Sequence, residues 1–194
     1  MIRFRWLLVF LWSGLASAQA LSGAALVDEL RKGSYVLYLR HTSTDFSQND
    51  RGMRSYEDCS TQRNLSDKGR DEAREIARQL KRLRVARGPV LASPMCRTME
   101  TARLAFGKAD ASSDVRGGSA SPDDPKRYEP LRRLLSREVP KKENRLIASH
   151  GNPFRAVAGP PHLAEGEIAV VRPRGDGFEI AARLRVEDWA VLPD

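Results

Sequence analysis

Apolar positions along the chain fall into short unbroken runs that take turns with longer helical stripes. Tyr35-Val36-Leu37-Tyr38-Leu39 is continuous and rich in β-formers, the pattern of a strand buried on both faces. Val90-Leu91-Ala92 and Leu146-Ile147-Ala148 repeat the pattern in shorter form. Ile168-Ala169-Val170-Val171 and the run from Phe178 to Leu184 flank Arg174-Gly175-Asp176-Gly177, which predicts a tight turn and an antiparallel pair at a sheet edge. Between these runs the period changes. With Ser66 as N-cap, Ala73, Ile76, Ala77, Leu80 and Leu83 recur at helical spacing, and Gly88-Pro89 closes the unit. Shorter helices are expected over Ala24 to Arg31, Arg97 to about Phe106, and Tyr128 to Glu138. Thr42 to Arg63 and Asp110 to Pro125 are polar and aperiodic, so both are expected as surface loops. Strand and helix in alternation, with short apolar strands, imply an α/β domain around a largely parallel sheet. Ligands in such sheets sit at the carboxyl ends of the strands.

The first segment stands apart from this pattern. Arg3 and Arg5 precede an apolar run from Trp6 to Trp12, and the small-residue sites Ala16-Ser17-Ala18 and Ala18-Gln19-Ala20 follow. This is the layout of a secretory signal peptide, and the run is well short of the roughly 20 residues a bilayer span needs. The expected organisation is therefore a leader over residues 1–20, cleaved near Ala18 or Ala20, and a single domain over 21–194. The expected location is the periplasm or the medium. Outside the cytosol Cys59 and Cys96, the only two cysteines, are expected to pair as a disulfide.

The chain has 194 residues and a net charge of +8, with 41% hydrophobic and 30% charged positions. That composition supports one packed domain and excludes a disordered chain. Two Cys rule out a four-cysteine zinc site, and three His argue against a histidine-rich metal cage. The basic balance admits an anionic partner. The Lys81-Arg82-Leu83-Arg84 and Lys141-Lys142 clusters, however, alternate with acids on helix faces, and aromatics are few, so nucleic acid is not the expected ligand. A peripheral association with an anionic envelope surface suits the charge.

Three strand ends carry the chemistry. The first apolar run leads into Arg40-His41-Thr42, the second into Ser93-Pro94-Met95-Cys96-Arg97-Thr98, and the third into Ser149-His150-Gly151-Asn152. If these strands are neighbours, Arg40, His41, Arg97 and His150 converge on one pocket. Two guanidinium forks and two imidazoles make an anion site matched to phosphate oxygens, and one imidazole can serve as a covalent nucleophile. His162, after Pro160-Pro161, has no motif around it and is expected at the surface.

These blocks resemble those of the histidine phosphatase superfamily, the phosphoglycerate mutase-like fold. The resemblance rests on Arg40-His41, Leu65-Ser66-Asp67-Lys68-Gly69-Arg70-Asp71-Glu72-Ala73, the block from Ser93 to Ala102, and His150-Gly151, in that order. It covers nearly all of the chain after the leader, and the leader makes it look like an exported, bacterial-type member. It implies a three-layer α/β/α sandwich. It further implies a metal-independent phosphomonoester hydrolase with no cofactor, in which His41 forms a phosphohistidine while Arg40, Arg97 and His150 hold the phosphoryl oxygens. Thr42 stands where the family usually has Gly and is expected to touch substrate. A carboxylic acid would protonate the leaving oxygen. Glu167 is the favoured candidate, with Glu165, Glu129 and Asp45 as alternatives. The competing reading is a weakly catalytic or non-catalytic binder of phosphorylated ligands or other polyanions. Sugar phosphates, phosphorylated lipid-A cores, inositol phosphates and phosphopeptides all remain open as substrates.

Overall fold

A computed structural model describes residues 20–116, 124 and 126–194. The leader expected over 1–20 lies, apart from Ala20, outside the described residues, as does most of the 110–125 loop beyond Arg116. The element order is α1 (Gly23–Lys32), β1 (Val36–Arg40), α2 (Asp67–Arg82), β2 (Val90–Ala92), α3 (Cys96–Phe106), β3 (Asp110–Ala111), α4 (Glu129–Ser136), β4 (Arg145–Ser149), α5 (Gly151–Ala158), β5 (Ile168–Pro173) and β6 (Phe178–Leu184). One six-stranded sheet runs in the order β3-β2-β4-β1-β5-β6. β1, β2, β3 and β4 are mutually parallel, while β5 runs antiparallel to both β1 and β6. β5 and β6 are the hairpin at one edge, closed by the Arg174 N–H donating to the Gly177 carbonyl.

Strand alternation sorts the apolar residues into two cores. Leu37 and Leu39 of β1 face one side with Ile76 and Leu80 of α2, Ala102 and Phe106 of α3, Leu30 of α1 and Trp189. Val36 and Tyr38 face the other with Leu131 and Leu135 of α4 and Phe154 and Val157 of α5. Helices on both faces of a mostly parallel sheet make the three-layer α/β/α arrangement, and β1 is an apolar run because both its faces are covered.

Two elements depart from the sequence reading. The loop expected from Asp110 opens with the two-residue strand β3 and a 3-10 turn at Ser113–Val115. Gly151–Ala158 forms α5, an eight-residue helix that the Gly-Asn-Pro start concealed. Proline is tolerated in a first helical turn, where its missing N–H has no intrahelical acceptor to lose.

Candidate active site

The sheet order decides what meets. β1, β4 and β2 are adjacent, so their carboxyl ends lie side by side. The His41 N–H donates to the Ser149 carbonyl (2.9 Å) and the Ser93 N–H to the Ala148 carbonyl (3.0 Å), carrying the ladders one step past the strands. Arg40, His41, Arg97 and His150 thus line one cavity of about 250 Å³, together with Arg63, Arg116, Arg127, Tyr128 and His162. The His41 and His150 rings meet edge to face, 5.5 Å apart. Gly151 and Asn152, the first residues of α5, also line it, which adds the positive end of a helix to the cation set. Larger cavities, about 1020 and 1000 Å³, lie elsewhere in the molecule and hold no histidine.

Each group is held from behind. The His41 Nδ1 lies 3.0 Å from the Thr42 carbonyl, an acceptor, so Nδ1 carries the proton and Nε2 keeps its lone pair. The Ser93 hydroxyl is 2.8 Å from His150 Nε2, and the Tyr38 hydroxyl donates to the His150 carbonyl at 2.8 Å. Arg97 donates through Nη1 to Asp50 Oδ1 (3.0 Å) and to the Arg63 carbonyl (3.2 Å). Arg40 donates through Nη1 to the Leu163 carbonyl (2.6 Å) and lies 3.5 Å from Glu165 through Nη2. The Nε atoms of Arg40, Arg63, Arg97 and Arg127 are buried and have no hydrogen-bond partner among the described residues. An unpaired buried donor on a charged group is costly.

Burial pushes His41 down to about 3, the Thr42 carbonyl pulls it back up in part, and the guanidiniums of Arg97, Arg40 and Arg63 lower it further. Burial, then His41 and the guanidiniums of Arg97, Arg116 and Arg40, hold His150 well below the usual histidine range. Both rings are therefore neutral at pH 7, the state a nitrogen nucleophile needs. The sign for stability follows. Unfolding frees both rings to take up protons below about 6.5, so acid destabilises the fold from there down towards the native values. Histidine 15N spectra recorded from pH 8 to pH 4 are expected to show His41 staying neutral throughout and His150 still neutral where a free imidazole has already protonated. Protonation of both near 6.5 would contradict the burial argument.

The block Leu65–Ala73 has a physical account. Ser66 caps α2 by accepting from the Gly69 N–H (3.1 Å), and the Ser66 N–H donates to the Ser43 carbonyl (3.0 Å). A Cβ at Gly69 would stand 1.9 Å from that same Ser43 oxygen, so only glycine lets the helix start pass the segment after His41. Glu72 then accepts from the Ser43 N–H and hydroxyl, both at 2.9 Å. The block fixes the path of the chain behind His41.

The three parallel strands ending in one cation-lined cavity place this architecture among known ones. The fold is that of the histidine phosphatases. The family model described as histidine phosphatase superfamily (branch 1) matches residues 36–119. A protein histidine phosphatase SixA complexed with tungstate superposes with a TM-score of 0.54 at 19% identity, covering 79% of this chain and 98% of its own. A putative phosphohistidine phosphatase SixA from Agrobacterium tumefaciens gives 0.52 at 18%, covering 78% and 97%. A phosphoserine phosphatase mutant from Entamoeba histolytica in complex with phosphoserine gives 0.53 at 12%, covering 79% and 98%. A search of curated protein sequences returns no match.

Within this histidine-phosphatase fold several expected residues fall elsewhere. Glu167 does not line the cavity. Its carboxylate accepts from Arg183 Nε (2.7 Å) and the Ala164 N–H (2.7 Å), because the antiparallel pairing of β5 with β6 turns it towards Arg183. Glu165 sits behind the imidazole, accepting from the Thr44 N–H (3.2 Å) and hydroxyl (3.0 Å), with Oε1 3.9 Å from His41 Nδ1. Glu129 opens α4 beside Arg133, and Asp45 is half-buried, accepting from Ser47. Thr42 is fully buried, its N–H and hydroxyl directed at Thr101 (3.3 and 3.4 Å), so its side chain is not at the substrate side. No carboxylate lines the cavity among the described residues.

His162 is the converse correction. It lines the cavity, with Nδ1 3.3 Å from Arg40 Nη1 and Nε2 3.0 Å from Asn152 Oδ1. Its ring rests where Gly151 has no side chain, since a Cβ there would fall 1.8 Å from His162 Cε1. Asp50 was also missed. Burial opposes its charge, but the Arg63 N–H and the Arg97 guanidinium outweigh that and hold its carboxyl below the usual range. Cys59 and Cys96 do form a disulfide, with Cα atoms 5.7 Å apart, which ties the loop holding Asp50 and Arg63 to the start of α3.

Proposed function

We propose that the protein is a phosphatase that transfers a phosphoryl group from a small phosphorylated substrate to His41 Nε2 and then to water. The carrying observation is a neutral imidazole, its Nδ1 proton committed to a carbonyl, inside a cavity walled by guanidiniums. The relatives whose structures it shares are named as phosphatases, which supports the same reading. Nε2 attacks phosphorus, an N–P bond forms, and the P–O bond breaks with its electron pair going to the leaving oxygen, which is protonated. Water then attacks phosphorus, the N–P bond breaks, and inorganic phosphate and the neutral imidazole are restored. Arg40, Arg97 and His150 hold the equatorial oxygens as charge spreads over them, the positioning and charge stabilisation on which phosphoryl transfer depends. No step is assigned to a metal or cofactor, and turnover in EDTA is expected.

Location outside the cytosol belongs to the same proposal. The basic, apolar and small-residue order of residues 1–20 supports it, and the Cys59–Cys96 disulfide suits an oxidising compartment. The test is acid-free quenching of the full chain with a 32P-labelled phosphomonoester. An adduct that survives base and is lost in acid is expected on the His41 peptide. Binding of phosphate esters with neither adduct nor turnover overturns the enzymatic reading in favour of a phosphate-binding module.

A further inference from the structure

We infer that the substrate carries a second phosphate on the leaving side of the scissile bond, held by Arg63, Arg116 and Arg127. This rests on the phosphatase reading above and narrows its substrate class. One transferring phosphoryl group is already matched by Arg40, Arg97 and His150. The same cavity holds three more guanidiniums, and these come from loops: Arg63 just before α2, Arg116 after the Ser113–Val115 turn, and Arg127 just before α4.

They are placed rather than free. Arg63 lies over the Phe46 ring (4.9 Å), Arg116 over Tyr56 (5.4 Å) and Arg127 over Tyr128 (5.6 Å). The Ser149 hydroxyl, at the end of β4, donates to the Val115 carbonyl (2.6 Å), which pins the turn that carries Arg116 above the site. The Nε atoms of Arg63 and Arg127 are buried without partners among the described residues. Like charges gathered in one small cavity repel, and an anion of matching charge is what offsets that repulsion.

The proton that the leaving group needs separates two forms of such a substrate. An alkoxide leaving group needs a proton, and among the described residues the four carboxylates considered, Glu167, Glu165, Glu129 and Asp45, lie off the cavity. A phosphate leaving group is a far weaker base than an alkoxide and departs without a proton. In that case the N–P bond forms, the P–O–P bond breaks on the transferred phosphorus, and the electron pair stays on the bridging oxygen of the departing phosphate, where a guanidinium wall stabilises it. The shared chemistry is a second phosphate close to the first, either through an anhydride, whose leaving phosphate departs unprotonated, or on an adjacent carbon, whose leaving alkoxide takes its proton from solvent.

The test compares methylenediphosphonate with methylphosphonate by calorimetry on the full chain at pH 7 and fixed ionic strength. The diphosphonate is expected to bind at least about tenfold more tightly. The ratio is expected to collapse towards one in Arg116→Gln/Arg127→Gln and to shrink in Arg63→Gln, with melting temperatures recorded to exclude misfolding. Equal binding of the two probes, or a preference that survives the double substitution, overturns the inference. Two kinetic pairs separate the sources: inorganic pyrophosphate against phenyl phosphate, and glycerol 1,2-bisphosphate against glycerol 1-phosphate. A higher kcat/KM for pyrophosphate assigns the anhydride, and a higher value for the bisphosphate alone assigns the adjacent ester. A trapped phosphoenzyme with no preference in either pair overturns the second phosphate while the phosphatase reading stands. A diphosphonate preference with no phosphoenzyme does the reverse.

Discussion

His41→Ala is expected to reduce hydrolysis of 4-nitrophenyl phosphate by at least about 10⁴-fold, which corresponds to about 5.5 kcal/mol of barrier. The whole covalent route is lost with the nucleophile, so the effect falls on kcat rather than on KM. The guanidinium wall remains, and phosphate is expected still to bind. Folding is not the weak point of this variant. The imidazole is 2% exposed and already neutral, and its removal relieves a desolvated ring beside three cations. Melting temperature and inorganic phosphate affinity therefore serve as controls beside the rate. Undiminished turnover with an intact fold would falsify the phosphohistidine route. Loss of rate together with loss of the acid-labile adduct supports it.

Removal of the disulfide is the second large effect. Cys59→Ser/Cys96→Ser is expected to lower unfolding free energy by about 3–4 kcal/mol on the chain-entropy account, for a sequence separation of 37. The substitution also reaches the site. Cys96 opens α3 one residue before Arg97, and its N–H donates to Gln62 Oε1 (3.0 Å). Gln62 Nε2 in turn donates to the Ser55 and Tyr56 carbonyls, and Asp50 of the same loop bonds Arg97. The loop is thus anchored by covalent and polar links at one point, and its release loosens Arg97 and Arg63 together. KM for a phosphate ester is expected to rise by about tenfold, a loss of about 1.4 kcal/mol in binding. Urea unfolding and steady-state kinetics, with and without reductant on the unsubstituted chain, check both parts. A midpoint and KM that do not move would show that the Gln62 clamp alone holds the loop.

What the sequence displayed and what it hid divide along physical lines. β1, β2, β4 and the β5–β6 hairpin were legible because burial on one or both sheet faces leaves an apolar signature, and α2 because its stripe of Ala73, Ile76 and Leu80 is long. Arg40, His41, Arg97 and His150 were legible because each lies at the carboxyl end of a strand or within a few residues of it, so topology places it. Arg63, Arg116 and Arg127 carry no period and reach the cavity by loop paths that local sequence does not encode. His162 is seated by a space at Gly151, eleven positions earlier, and no spacing rule announces a missing side chain. Glu167 was assigned to the cavity on its place at the head of β5. In an antiparallel hairpin the partner strand decides where that side chain goes, and Arg183 takes it. Glycine at 69 had a visible counterpart in its block, but its reason, the Ser43 carbonyl, appears only in three dimensions.

The strand that leads into His41 pairs with β4 on one edge and β5 on the other, and both come from residues 145–194. A growing polypeptide cut short before Arg145 would leave β1 with two open edges and His41 without the Ser149 carbonyl that seats it. The cavity around His41 therefore closes only once β4 and β5 have paired with β1, so the onset of any turnover there would report this slow non-local pairing.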